Sequence, residues 1–276
     1  MRHLSKQSLA IIVLSVICLV LGGLVWHLAV NKSQRALTAE RDMLEAEQGR
    51  LLDSYNELRE QVNVRLGRGQ AARYFITPDD PAVAAMVQEI TGGYAKDERW
   101  PWRGYGDIYL WVITNIEYTS DAYTPILPEL GDGAVKWEKG FWKTPGETLN
   151  DGTGDCEDIS ALLVSMMLHY SHRQFPIWIL GIRTDGADAK SHVAVAVLVE
   201  NSKMAIVDPS GHYYSVFPIG WGITADYFPV AIGNWLERWS DEMKDAYVYM
   251  LVSEDMYHEF AGTDEFLSWV QESYGE

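Results

Sequence analysis

Residues 142–170, WKTPGETLNDGTGDCEDISALLVSMMLHY, place a cysteine at the start of an amphipathic helix. From Cys156 the apolar stripe runs through Ile159, Leu162, Leu163, Met166, Met167 and Tyr170, the three-and-four spacing of a helix with one buried face. Gly152-Thr153-Gly154-Asp155 ahead of it is turn chemistry, with Asp155 at the N-cap position. A first-turn cysteine meets unpaired backbone N–H groups and the positive end of the helix dipole, both of which favour thiolate over thiol. The competing reading is a small buried hydrophobe. Asp155, Glu157 and Asp158 crowd the position with acid, which is poor company for a core residue, and the second cysteine, Cys18, lies in an apolar N-terminal stretch.

A nucleophilic thiol needs a base. His192 opens SHVAVAVLVE, a β-branched run that reads as a strand, and Asp208 closes KMAIVD, a second strand ended by Pro209. Glu200-Asn201-Ser202 between them suits a tight turn. Side chains alternate faces along a strand. A turn centred on Glu200 sets His192 directly opposite Asp208; one centred on Asn201 makes them diagonal neighbours about 7–8 Å apart. A turn centred between the two puts them on opposite faces.

Cysteine at a helix start, histidine at a strand start and aspartate at the next strand's end resemble the transglutaminase-like superfamily, which shares the papain-like arrangement. WKTPGETL…GDCED is similar to the bacterial transglutaminase-like cysteine proteinases, and VDPSG to the broader transglutaminase core; the likeness covers about residues 105–211. It implies Cys156 as nucleophile, His192 as base and Asp208 as the residue orienting the imidazole. It implies an α+β papain/transglutaminase-like core, helices first and then an antiparallel sheet. The chemistry it implies requires no cofactor, although acidic residues beside the cysteine bind calcium in the similar proteinases. Asp155 and Glu157 are the positions for such a structural calcium here, and two carboxylates alone are too few for a cation that takes six to eight oxygens.

Outward from that core, Leu9–Val30 is 22 residues without a charge, about 33 Å as a helix and enough to cross a ~30 Å hydrocarbon layer. It lacks the small-x-small site of a cleaved signal peptide. Arg2 and Lys6 before it and Lys32 and Arg35 after it favour an inside N-terminus only weakly. Trp26 and His27 read as interfacial anchors. Residues 33–68 are charged and proline-free, with Leu37, Leu44, Leu51 and Leu58 seven apart; the matching seam positions Arg41, Gln48, Tyr55 and Val62 are apolar only in the second half. The expected organisation is therefore a transmembrane anchor (1–31), a helical stalk (32–72) forming either a coiled-coil homodimer or a single exposed helix, and a catalytic domain (73–276).

Within that domain, helices are expected from Pro81 to Ile90 and over 107–118. A Tyr118/Asp121 pair resembling a Y-x-x-D scaffold feature follows, then an irregular segment, 123–140, as lid or cleft wall. Residues 1–73 balance at +3 and 74–276 at −20, which repels nucleic acid and anionic surfaces. His169 and His172 stand too far along the cysteine helix to assist it, His212 is a rival base, and His258 has no motif around it. For the oxyanion, the Cys156 N–H is one donor; Trp137 and Trp142 are candidates for the second, with core packing as their alternative role.

The function expected is a membrane-anchored thiol enzyme that cleaves peptide or isopeptide amides through a thioester, acting on peptides or proteins of the cell envelope. Two alternatives stand beside it: transglutaminase-type acyl transfer, which uses the same three residues, and a catalytically inactive interaction module.

Overall fold

The structure is a computed structural model describing residues 6–94, 101–131, 133–186, 188–199, 202–214 and 225–275. It divides into two compact units, Met1–Leu58 and Arg59–Glu276. The first is the greater part of one helix, α1 (Lys6–Val64), in which Leu37, Leu44, Leu51 and Leu58 are all exposed. Its N-terminal portion is apolar and long enough to cross a membrane, and none of that stretch is buried within the structure. Arg2 lies outside the described residues.

The second unit is α+β. Past a 3₁₀ turn at Gly69–Phe75 come α2 (Pro81–Thr91) and α3 (Pro101–Asn115). Asp80 caps α2, its side chain accepting from Ala82 N–H, and Gly92 closes the helix in the left-handed region. The third helix was expected over 107–118. It begins earlier, and residues 117–118 leave it for a two-residue strand, β1 (Glu117–Tyr118). β2 (Tyr123–Ile126) and β3 (Lys136–Lys139) form a hairpin where an irregular segment was expected. α4 (Pro145–Asp151) and β4 (Thr153–Gly154) lead into α5 (Cys156–Tyr170).

Next come β5 (Ile177–Arg183), β6 (Ser191–Val199), β7 (Lys203–Asp208), β8 (Tyr213–Tyr214) and β9 (Asp226–Tyr227), followed by α6 (Phe228–Arg238). β10 (Tyr247–Val252), β11 (Tyr257–Glu259) and α7 (Thr263–Tyr274) complete the chain. The main sheet is antiparallel in the order β11-β10-β5-β6-β7-β8, with β9 also paired to β7.

Both faces of this sheet are covered, which explains why its central strands read as continuous apolar runs. Ile177, Ile179, Val193, Val195, Val197, Ala205 and Val207 pack with α2, α3 and α5. The alternate residues Trp178, Leu180, Ile182, Ala194, Ala196, Leu198, Met204 and Ile206 pack with α6 and α7. A two-residue period therefore survives, but both phases are hydrophobic.

α3 approaches α5 closely at Gly104, where a Cβ would overlap the Tyr170 ring. Gly104→Ala is expected to destabilise the second unit by about 1–3 kcal/mol through overpacking. Denaturant unfolding checks this, and an unchanged midpoint would contradict the close packing of α3 on α5.

Candidate active site

Local sequence delivers Cys156 to the start of α5 in a few residues. Thr144 and Glu147 form a reciprocal capping box on α4, Pro145 sits in its first turn, and Gly152, with φ 65°, ends it. The chain then runs parallel to β1, pairing Glu117 with Thr153 and Tyr118 with Gly154. Gly154 has no room for a side chain, because a Cβ would stand 2.6 Å from that of Asp158. Asp155 occupies the N-cap position in an extended conformation, but its side chain makes no capping bond. The carboxyl turns inward, only 8% exposed, with the N–H groups of Asp158 and Glu157 countering part of the rise in its pKa.

On the sheet, the turn between β6 and β7 is centred on residue 201, since Val199 pairs with Lys203 and Leu198 with Met204. Glu200 and Asn201 themselves lie outside the described residues. This is the diagonal register: His192 and Asp208 project from one face, two residues offset. The imidazole spans the offset, with His192 Nε2 at 2.8 Å from Asp208 Oδ2. Both side chains are buried.

Asp208 is the most heavily hydrogen-bonded carboxylate of the site. Besides the imidazole, Oδ2 accepts from Trp235 Nε1 and Trp239 Nε1, both at 3.0 Å, and Oδ1 accepts from Gly211 N–H at 2.7 Å. Burial works to raise its pKa, yet His192, Trp235 and Gly211 together hold it below the usual carboxylate range. Trp239 also lies against the imidazole, its ring centroid 4.1 Å away. Gly211 is required here, because a Cβ would sit 2.7 Å from Asp208 Oδ2. The two tryptophans were not picked out from sequence. Their signal is NWLERW, an i, i+4 indole pair, which looks like any buried helix face.

Cys156 Sγ lies 3.0 Å from Glu157 Oε2 and is hydrogen-bonded by the backbone N–H of Val193, the residue after His192. The sulfur thus sits at the strand that carries the imidazole. Its pKa is pushed up by burial first and then by Glu157 and Asp155, with the Val193 N–H countering in part. The thiolate preference expected from the helix start is overridden by desolvation and adjacent acid.

Behind the sulfur, Asp121, Asp155 and Asp158 bring carboxylate oxygens within 4.8 Å of one another. Burial raises all three, Asp155 to about 8, Asp158 to about 7 and Asp121 to about 6; Glu157 adds repulsion at Asp155, Asp155 and Asp121 add it at Asp158, and Asp155 adds it at Asp121. Phe141 N–H donates to Asp121 Oδ2 and Lys143 N–H to Asp158 Oδ1 at 2.7 Å. Asp155 Oδ1 and Asp158 Oδ2 are buried without a hydrogen-bond partner. Unpartnered buried carboxylate oxygens that converge and repel are the donor set a hard divalent cation takes. The expected pair, Asp155 and Glu157, also gathers ligand atoms within 4.8 Å of one another together with Cys156, and Asp155 is common to both groups. Glu157 bonds the thiol, and Asp121, expected only as scaffold, lies in the second group.

The remaining candidates lie elsewhere. Trp142 is buried against Phe75, and Trp137 is exposed on β3. His169 Nδ1 bonds Pro78 O, His172 packs on Tyr94, and His258 stacks on Phe260. His212 is exposed beyond Asp208.

A helix-borne thiol beside an antiparallel sheet that carries a buried histidine–aspartate pair defines the class: an α+β chain resembling the transglutaminase-like superfamily in motif order and placement. No family model matches the chain, and no curated protein matches it significantly. Among solved structures it is similar to Legionella pneumophila LapG, at 13% identity over 77% of this chain and 91% of that one, TM-score 0.37. The calcium-bound form of LapG aligns at 12% identity over 75% and 87%, TM-score 0.36. A candidate cysteine protease from Cytophaga hutchinsonii aligns at 13% over 63% of this chain, TM-score 0.33, and the chain spans 47% of its length. Likeness at these scores fixes neither fold nor chemistry, which rest on the geometry above.

The acidic group sets a pH dependence. Its folded-state pKa values lie above the ~3.9 of a solvated aspartate, so between about pH 4 and pH 8 the folded chain holds protons the unfolded chain has released. In metal-free buffer, thermal stability is expected to fall as pH rises from about 5 to 8, and Asp158→Asn to flatten the dependence. A melting temperature that rises over that window would contradict the raised values.

Proposed function

We propose that the chain is a membrane-anchored thiol hydrolase that cleaves peptide or isopeptide amide bonds on the outer side of the membrane, with Cys156, His192 and Asp208 as its triad in a papain-like core. The observation that carries this reading is the buried His192–Asp208 pair, offset across two strands, with the Cys156 sulfur on the backbone N–H next to that histidine.

The chemistry follows from which ring nitrogen is engaged. Nε2 faces Asp208, so the proton on it donates to the carboxylate and Nδ1 is left as the acceptor. Nδ1 takes the thiol proton, and the sulfur attacks the carbonyl carbon, forming the C–S bond as the carbonyl π pair moves to oxygen. The resulting imidazolium is stabilised by Asp208, whose four donors keep it ionised. The Cys156 N–H at the helix start donates to the oxyanion. Collapse restores the carbonyl and expels the amine, which takes its proton from His192. Water then enters by the same route and releases the acid.

The thiol's raised pKa means that the proton transfer and the charge pair it creates are coupled, so removing Asp208 disables the sulfur as well as the base. Asp121, Asp155 and Asp158 would hold a calcium ion. Bound there, calcium would supply positive charge that offsets the buried carboxylates, two of which already accept the N–H groups of Phe141 and Lys143. α1 anchors the enzyme, its exposed leucine seam serves as a homodimer contact, and the net −20 of residues 74–276 fits a peptide or protein substrate of the cell envelope and excludes nucleic acid.

The test is to incubate full-length protein in detergent micelles with a peptide library, beside Cys156→Ala and Asp208→Ala, and to identify products by mass. Cleavage by wild type, none by Cys156→Ala and a loss of about 10²–10⁴-fold in Asp208→Ala are expected. Incorporation of a labelled primary amine would replace hydrolysis with acyl transfer, and silence in every arm would leave an interaction module. Separately, calcium is expected to raise the melting temperature of wild type, more at pH 8 than at pH 6, and to leave Asp158→Asn unmoved. An equal calcium shift in both proteins would remove the metal assignment.

A further inference from the structure

Oxyanion stabilisation by the Cys156 N–H alone leaves the site one donor short, and neither tryptophan considered for the second position serves: Trp142 is core and Trp137 is exposed on its hairpin. The edge of the sheet offers a different group. Between Val248 and Met250 the pairing of β10 with β5 slips by one residue, leaving Tyr249 unpaired in a β-bulge. Bulges re-aim a side chain, and they recur beside active sites. Here Tyr249 joins the side of the sheet that packs with α5 and Cys156.

What it crosses is a glycine. A Cβ at Gly181 would stand 2.8 Å from Tyr249 Cε1 and 2.7 Å from Met250 Cγ, so any larger residue would push the phenol off β5. Gly181 pairs with Val193, whose N–H bonds the Cys156 sulfur. Bulge, glycine and strand pairing thus lay the phenol across β5 in the direction of the nucleophile. Arg183, two residues along β5, sets its guanidinium over the ring at 4.9 Å from its centroid.

Resting on the thiol-hydrolase reading above, we propose that Tyr249 is a further catalytic residue, its hydroxyl being the second hydrogen-bond donor to the oxyanion formed when Cys156 adds to a carbonyl. The hydroxyl keeps its proton throughout: it lends a hydrogen bond as the π pair moves to oxygen and is released from it when the carbonyl re-forms. Burial, followed by the Cys156 sulfur and Glu157, pushes its pKa upward, so it stays a donor over the whole working range. Tyr118, a second tyrosine whose pKa is raised by burial and then by the Cys156 sulfur, is more than half exposed on β1 and is the natural comparison.

The assignment separates two reactions of one sulfur. Ester hydrolysis passes through an oxyanion, whereas alkylation by iodoacetamide forms a C–S bond as iodide leaves and develops none. Full-length wild type, Tyr249→Phe and Tyr118→Phe are compared for p-nitrophenyl acetate turnover and for the rate of Cys156 alkylation. Tyr249→Phe, which keeps the ring, is expected to lose about 10²–10³-fold in kcat with little change in KM and an unchanged alkylation rate. Tyr118→Phe is expected to match wild type in both. Normal turnover in Tyr249→Phe overturns the proposal. A parallel loss of turnover and alkylation overturns it too, since the phenol would then be positioning the thiol. A wild type whose Cys156 neither labels nor turns over the ester removes the thiol-hydrolase reading and this assignment with it, a result distinct from the first two.

Discussion

A single buried anion, the Asp208 carboxylate, fixes the arrangement of the sheet's C-terminal half. An ionised carboxylate taken out of water costs several kcal/mol unless every lone pair finds a donor. Four groups meet that demand, from three different places: an imidazole from β6, two indoles from α6 and the residue following it, and the Gly211 N–H of the turn that ends β7. Removing any one leaves charge uncompensated, so the position of α6 against the sheet and the orientation of His192 are tied to the same atoms. Trp239 serves twice, donating to the carboxylate and flanking the ring that carboxylate holds.

A second constraint works against the first. The helix start that carries Cys156 is surrounded by acid, and the sulfur, Asp155, Asp158 and Glu157 are all shifted toward their protonated forms by burial. A helix dipole is worth about 0.3–1 kcal/mol at an exposed end, which desolvation and two adjacent carboxyls outweigh. The Cys156 sulfur is therefore held as a thiol, with the acidic group on one side of it and the strand that carries His192 on the other.

Much of this was readable from the chain. The α5 stripe, the two strands and the placement of Cys156, His192 and Asp208 follow from periodicity and turn chemistry, and the α+β class follows from the order of elements. The register was open in the sequence because it depends on which residue centres one turn; the diagonal solution is the one that a long planar imidazole bridges. Other parts were hidden for a common reason, that they join residues distant in sequence. Asp121 meets Asp155 and Asp158 only because β1 pairs with β4. Trp235 and Trp239 read as core until α6 is placed over β7. Tyr249 sits in an ordinary-looking YVYMLV strand, and only the slip against β5 and the glycine opposite reveal where its ring goes. Helix α3 was placed too late because Gly104 and Gly106 dilute its pattern, although Gly104 is there to admit Tyr170.

The most direct measurement of the central claim is the tautomer of His192, read from the ¹⁵N resonances of protein labelled in its histidine rings. A carboxylate held at Nε2 predicts a neutral ring protonated on Nε2, with Nδ1 bare and free to receive the thiol proton, and predicts that Asp208→Asn disturbs this state. A ring protonated on Nδ1 in the wild-type protein, or one indifferent to Asp208, would contradict the account.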